Sequence, residues 1–209
     1  MKIVKPSFEI IDHSSLLTTI ERAGRTCYKS EDKIDEGTAE PFISRIKNFK
    51  HESVLEHGSI SVLITCDRGV THELVRHRIA SFSQESTRYC SYDKGKFKNT
   101  TLMVKPQSEM TEAALAVWED AVLYAEIAYM KMVKLGASAQ QARAVLPNSL
   151  KAEIVITANP REWRHIFNLR THKDTHPDMV ATMRPILAEF RSRWPVLFAD
   201  VGHLPDDDE

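Results

Sequence analysis

Residues 76 to 89 read Arg-His-Arg-Ile-Ala-Ser-Phe-Ser-Gln-Glu-Ser-Thr-Arg-Tyr. Arg76, His77 and Arg78 place cationic or potentially cationic groups in a row. Ser81, Ser83 and Ser86 add hydroxyls, Gln84 and Glu85 intervene, and Arg88 brings a further guanidinium. Guanidinium groups are almost never buried without partners. Their forked donors match phosphate and carboxylate oxygens, often bidentately. The chemistry such a strip can do is recognition of an anion. The competing reading is a basic surface helix running into a polar loop, because most charge runs are solvated faces. Further arginines and amides stand at other element boundaries: Arg143, Asn159, Arg161 and Arg170. Converging, they would form an anion site whose chemistry is electrostatic rather than nucleophilic.

Other chemistries find less support. The 7 glycines form neither Gly-x-Gly-x-x-Gly nor a phosphate loop, which argues against the usual dinucleotide and nucleoside triphosphatase folds. His72 and His77 flank a Glu-containing segment but are five residues apart, so on a helix they diverge by about 140°. A helical zinc pair needs a spacing of four. His172 and His176 have that spacing, with Asp174 between them, yet no third ligand is nominated and Pro177 interrupts the helix. No metal site is therefore expected. Ser86 has no identifiable base in the linear sequence, which favours phosphate binding over nucleophilic attack.

Composition sets the frame. The 209 residues suit one domain, or one domain with an appended helical element. Lys+Arg is 28 and Asp+Glu is 29, so the net charge of -1 gives no general attraction to nucleic acid or anionic membrane. No run approaches the ~18 apolar residues of a membrane span, and the start lacks a signal-peptide core. Cys27, Cys66 and Cys90 have no metal-like spacing and read as reduced thiols of a cytoplasmic protein.

The elements that must position the strip can be read from periodicity. A first strand is predicted within residues 2 to 10, and a helix capped by Ser14 or Ser15 runs to about Cys27. A second helix covers Ala39 to Phe49. Ile60, Val62 and Ile64 alternate with polar residues, the period of a half-buried strand. After a turn at Asp67-Arg68-Gly69, Val70 to Arg78 reads as a short helix, and the strip then enters a loop or strand. Over residues 111 to 135, Leu115, Trp118, Val122, Ala125, Tyr129, Met132 and Leu135 make one apolar stripe, for the core or a subunit interface. Ser138 starts a helix that stops before Pro147, Leu150 to Thr157 is a strand, and Asn159-Pro160 opens another helix. The last helix, Pro177 to Trp194, is expected to kink at Pro185. This mixture predicts an α/β fold of the α+β type: a central sheet flanked by helices over residues 1–209, the acidic end 205–209 fraying.

The spacing Arg76-His77-Arg78, Ser81, Ser86, Arg88 resembles the signature of flavin-dependent thymidylate synthases. Three further blocks are similar to the same family, in its order: His51 to His57; Ala142 to Pro147, an arginine turn; and Asn159 to His165, followed by Phe167 to Arg170. The resemblance implies a homotetramer with shared active sites, each holding FAD in a non-Rossmann fold. It implies conversion of dUMP to dTMP with methylenetetrahydrofolate as carbon donor, NADPH reducing the flavin, and the flavin also relaying the carbon unit. By position, Ser53, Glu56, Arg76, His77, Arg78, Ile79, Gln84, Asn159, Arg161 and His165 would contact FAD. Glu73, Arg76, Gln84, Glu85, Ser86, Thr87, Arg88, Arg143 and Arg170 would contact dUMP, with Arg143 coming from a neighbouring subunit. His51 would serve the flavin or folate face.

Arg170 is the catalytic candidate, because a cation beside the uracil imide nitrogen stabilises the anionic form in which the ring carbon becomes nucleophilic. Some positions depart from the family pattern. Ser83-Gln84 stands where Asn-Glu is frequent, and Glu73 where Gln is. Glu85 falls where an apolar residue is usual: it points outward, pairs with an arginine, or marks an altered substrate or product. The nearest alternative function is a flavin-dependent hydroxymethyltransferase acting on a pyrimidine nucleotide. More distant ones are a hydrolase using His172 and His176, and a nucleic-acid module using the strip.

Overall fold

Eight-residue alternation becomes strand β3, as the sequence predicts, but the N-terminal segment splits in two. The computed structural model describes residues 1–12, 15–97 and 99–205; Ser14 and the end of the acidic tail lie outside them. The elements in order are β1 Lys2–Val4, β2 Ser7–Asp12, α1 Leu16–Tyr28, α2 Ala39–Asn48, β3 Ile60–Asp67, α3 Arg68–Leu74 and β4 Ala80–Gln84. There follow β5 Leu102–Val104, α4 Glu112–Lys134, α5 Ala139–Ala142, β6 Lys151–Ala158, α6 Pro160–Arg170, α7 Pro177–Arg193 and α8 Pro195–Phe198. The fold is mixed α/β, with a four-stranded sheet ordered β2-β3-β6-β4 and a parallel pair β1-β5. Pro6 falls between β1 and β2, where its missing N–H breaks no ladder.

The chain divides into two compact units. The first comprises Met1–Ser7, Ile64–Arg76 and Ser83–Ile154; the second comprises Phe8–Leu63, His77–Phe82 and Val155 onward. The core of the first gathers Tyr92, Met103, Val122, Tyr129, Ala142 and Leu150. Thr111 starts α4 by accepting from the Ala114 backbone N–H at 3.2 Å, a cap worth about 1 kcal/mol. The predicted stripe of α4 is buried at Val122 and Tyr129 but not at its end, where Leu135 is 78% exposed.

In the second unit, Trp163, Phe167, Phe190 and Phe198 interlock edge-on or stacked, with centroid separations of 5.0 to 6.0 Å. Trp163 also donates its indole N–H to the Ile60 carbonyl at 3.0 Å, tying α6 to β3. Gly24 lets α1 approach α2, since a Cβ there would lie 2.5 Å from the Phe42 ring. Ser15 does precede α1, but in a left-handed conformation and with no side-chain cap. Pro185 lies inside α7.

Candidate functional site

Helix α6 carries most of the chemistry of the second unit. Asn159 begins it by accepting from the Glu162 backbone N–H at 2.8 Å, and Pro160 takes the first turn, where no N–H is required. Glu162 and His165 follow, and Arg170 closes the last turn. Arg170 Nε donates to His77 Nε2 at 3.0 Å. On the other side of that ring, Nδ1 stands 3.5 Å from the Glu162 carboxylate. The His165 ring meets the His77 ring edge-on, centroids 5.6 Å apart. Burial pushes the His77 imidazole down to about 4, and the positive charges of Arg170 and His165 push the same way. His77 is thus neutral near pH 7. Burial also raises the Glu162 carboxyl above its ordinary range, with His165 pulling weakly against it.

His77, Glu162 and His165 offer ligand atoms within 4.8 Å of one another, the spacing of a metal site. The electrostatics oppose a cation there, because Arg170 already occupies His77 Nε2 with a positive donor. His172 and His176 face Asp174 and Asp178 respectively, and no third ligand joins them among the described residues.

A cleft of about 600 Å³ opens beside α6, lined by Glu52, Glu56, Ile79, Asn159, Arg161, Glu162, Arg164, His165 and Asn168. It gathers five of the residues expected at FAD: Glu56, Ile79, Asn159, Arg161 and His165. Arg161 is held by Glu56 at 2.5 Å and Glu52 at 3.7 Å, all half-exposed. Ile79, 70% exposed, gives an apolar wall. Ser53 is exposed on the 3-10 turn Glu52–Glu56, while Arg78 is exposed beside Ile79. His51 lines a different cleft, with Arg25, Tyr28, Arg45 and Phe49, and its Nδ1 bonds the Tyr28 hydroxyl at 2.9 Å.

Of the strip, Arg76 and Ser83 to Tyr89 belong to the first unit, while His77 to Phe82 belong to the second. Helix α3 stops at Leu74, earlier than expected, so Arg76 is exposed beyond its end. Gln84 donates to the Thr71 hydroxyl at 3.0 Å. Thr87 is buried and accepts from Arg143 at 3.4 Å, so Arg143 reaches the strip within one chain. Arg88 donates to Gln140 at 2.9 Å and lies over Tyr89. The Ser86 hydroxyl accepts from the Arg88 backbone N–H at 3.3 Å. The capping box of Ser138 and Gln141 fixes the short helix that delivers Gln140 and Arg143.

Glu85 turns inward. Its carboxylate meets Lys151 at 2.8 Å, both side chains being at least nine-tenths buried. The partner is thus a lysine, where sequence reasoning weighed an arginine. Lys151 also bonds Glu153 at 2.9 Å; burial works to lower the ammonium's pKa, but the two carboxylates outweigh it and raise it. Sequence reasoning missed Lys151 and Glu162. The signal for the first was Glu85 itself, an acid at an apolar position that needs a buried cation.

A family model for the thymidylate synthase complementing protein matches residues 9–196. The chain belongs to that family. Among its relatives in the thymidylate synthase complementing family, the flavin-dependent thymidylate synthase of Geobacter sulfurreducens is 34% identical over 187 residues, 86% of this chain and 79% of that protein. The enzyme of the same name from Mycobacterium tuberculosis is 33% identical over 199 residues, covering 87% and 78%. For that of Pyrococcus furiosus the figures are 34% over 151 residues, 70% of this chain and 60% of that protein. The crystal structure of a UMP/dUMP methylase, PolB from Streptomyces cacaoi, bound with 5-Br dUMP, superposes with a TM-score of 0.78. It covers 95% of this chain and 96% of that one at 23% identity, so it shows that the fold is shared.

Proposed function

We propose that this chain catalyses the reductive methylation of dUMP to dTMP, with methylenetetrahydrofolate as carbon donor and FAD reduced by NADPH. The observation that carries this reading is how the strip's cations are held. Arg88 and Arg143 rest on the neutral acceptors Gln140 and Thr87. Both guanidinium groups are fully charged, so they gain by exchanging a neutral acceptor for the opposite charge and bidentate geometry of a phosphate dianion. Ser86 and Thr87 add hydroxyls to that cradle, and Glu73, Arg76 and Gln84 complete the nucleotide site. The Glu85 side chain is committed to Lys151, so its contribution falls to its backbone.

The cleft beside α6 suits FAD. Arg161 and His165 present N–H donors for a pyrophosphate, Glu56 accepts from a hydroxyl, and Ile79 offers an apolar face to a flat ring. Ser53, Arg76, His77, Arg78, Gln84 and Asn159 complete the set. When bound and reduced, FAD supplies the reducing equivalents and relays the carbon unit. Arg170 acts beside the uracil imide nitrogen, where its charge stabilises the anionic ring.

The working form in this reading is a cytoplasmic homotetramer in which residues 1–209 act as a single domain. Val117, Leu123, Tyr124 and Ile127 leave an apolar face of α4 exposed, by 70%, 42%, 71% and 52%, a surface that a second copy would cover. Cys27 is an exposed free thiol, as suits a reducing compartment.

Purified protein should be yellow or take up added FAD, and dUMP should perturb the flavin spectrum. A colourless protein that binds no FAD would overturn the proposal. Product mass separates methylation from hydroxymethylation. Arg170→Ala should lower turnover about a hundredfold or more with the melting temperature little changed. Near-normal turnover would remove Arg170 from the mechanism.

A further inference from the structure

An arginine ending a helix has several rotatable bonds, and fixing a long side chain costs up to about 2 kcal/mol of entropy. A group that must meet one ring nitrogen needs its direction set by neighbours. Arg170 Nε donates to His77 Nε2 at 3.0 Å, so that nitrogen carries its lone pair. In a neutral ring the proton then sits on Nδ1, facing the Glu162 carboxylate at 3.5 Å. The His77 and Glu162 side chains are 4% and 8% exposed, so water competes little for either contact. The other tautomer would set N–H against N–H at Arg170 and a lone pair against a carboxylate at Glu162. Both contacts select one tautomer.

We propose that Glu162 is a positioning residue: by holding the His77 proton on Nδ1 it keeps Nε2 an acceptor, and so aims the Arg170 guanidinium. Glu162 and Arg170 share α6 but are separated by eight residues, a rise of about 12 Å, so the histidine from another segment bridges them. Asn159 fixes the start of the relay, because its cap bond is to the backbone of Glu162 itself. This inference rests on the reading that Arg170 acts at the uracil.

Two measurements test it. Nitrogen-15 NMR of labelled His77, with and without FAD, should show the Nδ1–H tautomer. Glu162→Ala should shift the ring toward a mixture, whereas Glu162→Gln, which still presents a carbonyl oxygen, should keep it. Glu162→Asp, an acceptor one carbon shorter, gives the same comparison if the alanine variant fails to fold. In FAD-loaded enzyme, Glu162→Ala should lower kcat about tenfold or more while KM for dUMP stays within about twofold, with most of the loss recovered by Glu162→Gln. In an Arg170→Ala background it should cost nothing further. An unchanged tautomer in Glu162→Ala, or an equal loss in both backgrounds, overturns the relay. Normal turnover in Arg170→Ala instead overturns the role of Arg170, and the tautomer measurement still decides whether Glu162 governs His77.

Discussion

Several arginines of the second unit pair with carboxylates, whereas Arg88 and Arg143 of the first meet an amide and a hydroxyl. In the second, Arg164 makes a two-pronged pair with Asp200 at 2.7 and 2.9 Å, Arg25 meets Glu21 at 2.7 Å, and Arg161 lies between Glu56 and Glu52. In the first, Arg88 and Arg143 have the uncharged partners Gln140 and Thr87. A buried guanidinium matched by a carboxylate is scaffold, because releasing it strands a charge; Arg161 and its two acids are half-exposed, so water screens them and that guanidinium stays open to a ligand. One resting on an amide or hydroxyl leaves only a neutral group behind when it changes partner for an anion. Arg170, in the second unit, has the neutral His77 ring as one of its partners. Partner and burial together thus separate cations that build the fold from those open to an anionic ligand.

Glu85 is an acid within the strip itself, three positions before Arg88. If its charge were loose, it would repel the phosphate that Arg88 and Arg143 are proposed to hold. Lys151→Ala removes the cation and leaves a buried carboxylate, one oxygen of which, Oε1, already lacks a hydrogen-bond partner. Breaking a buried pair in this way costs about 3–5 kcal/mol. Urea unfolding of the variant should show that loss, and the double change Glu85→Leu with Lys151→Met should restore most of it. A loss below about 1 kcal/mol for Lys151→Ala would mean that Glu85 is hydrated and the strip is not shielded from it.

A smaller effect sharpens the same contrast. Arg88→Ala removes a guanidinium whose bond to Gln140 is exposed to water, so stability should move by about 1 kcal/mol or less. Nucleotide affinity should fall by about 1.5–3 kcal/mol, the worth of a hydrogen bond to a charged group, and calorimetric titration with dUMP would measure it. Salt should weaken dUMP binding to the unaltered protein more than to the variant. Equal affinity would remove Arg88 from the phosphate site.

Local signals carried a large part of this architecture. Alternation located β3, Asn159-Pro160 located the start of α6, and the blocks that resemble the family nominated both proposed sites. Reach through space was not legible. Glu162 reads in sequence as an ordinary first-turn acid that suits the helix dipole; its second role depends on His77, which lies 85 positions earlier in the chain. Lys151 similarly reads as the polar start of a strand. Helix α3 ends before the arginines, against expectation: an apolar face buries Val70 and Leu74, while nothing buries Val75 or Arg76. Leu135 continued a stripe by period alone, and the helix had already ended at Lys134.

The smallest expected effect concerns pH and tests whether His77 is the neutral acceptor that Arg170 Nε meets. Its imidazole is lowered from the usual 6.5 to about 4 by burial, Arg170 and His165. Between those values the unfolded chain takes up a proton that the folded chain refuses. Stability therefore falls as pH drops from about 6.5 toward 4, and His77 adds no pH dependence above that window. Glu162 acts in the opposite sense: its carboxyl is raised in the folded state, so the folded chain binds that proton first and recovers part of the loss at the acid end. Urea midpoints for the unaltered protein and His77→Gln, measured at several values between pH 4 and 7.5, isolate the histidine. The gap between the two proteins should change across the window and stay constant above it. A gap that is flat throughout would mean that His77 titrates normally and is not the neutral acceptor that Arg170 meets near pH 6.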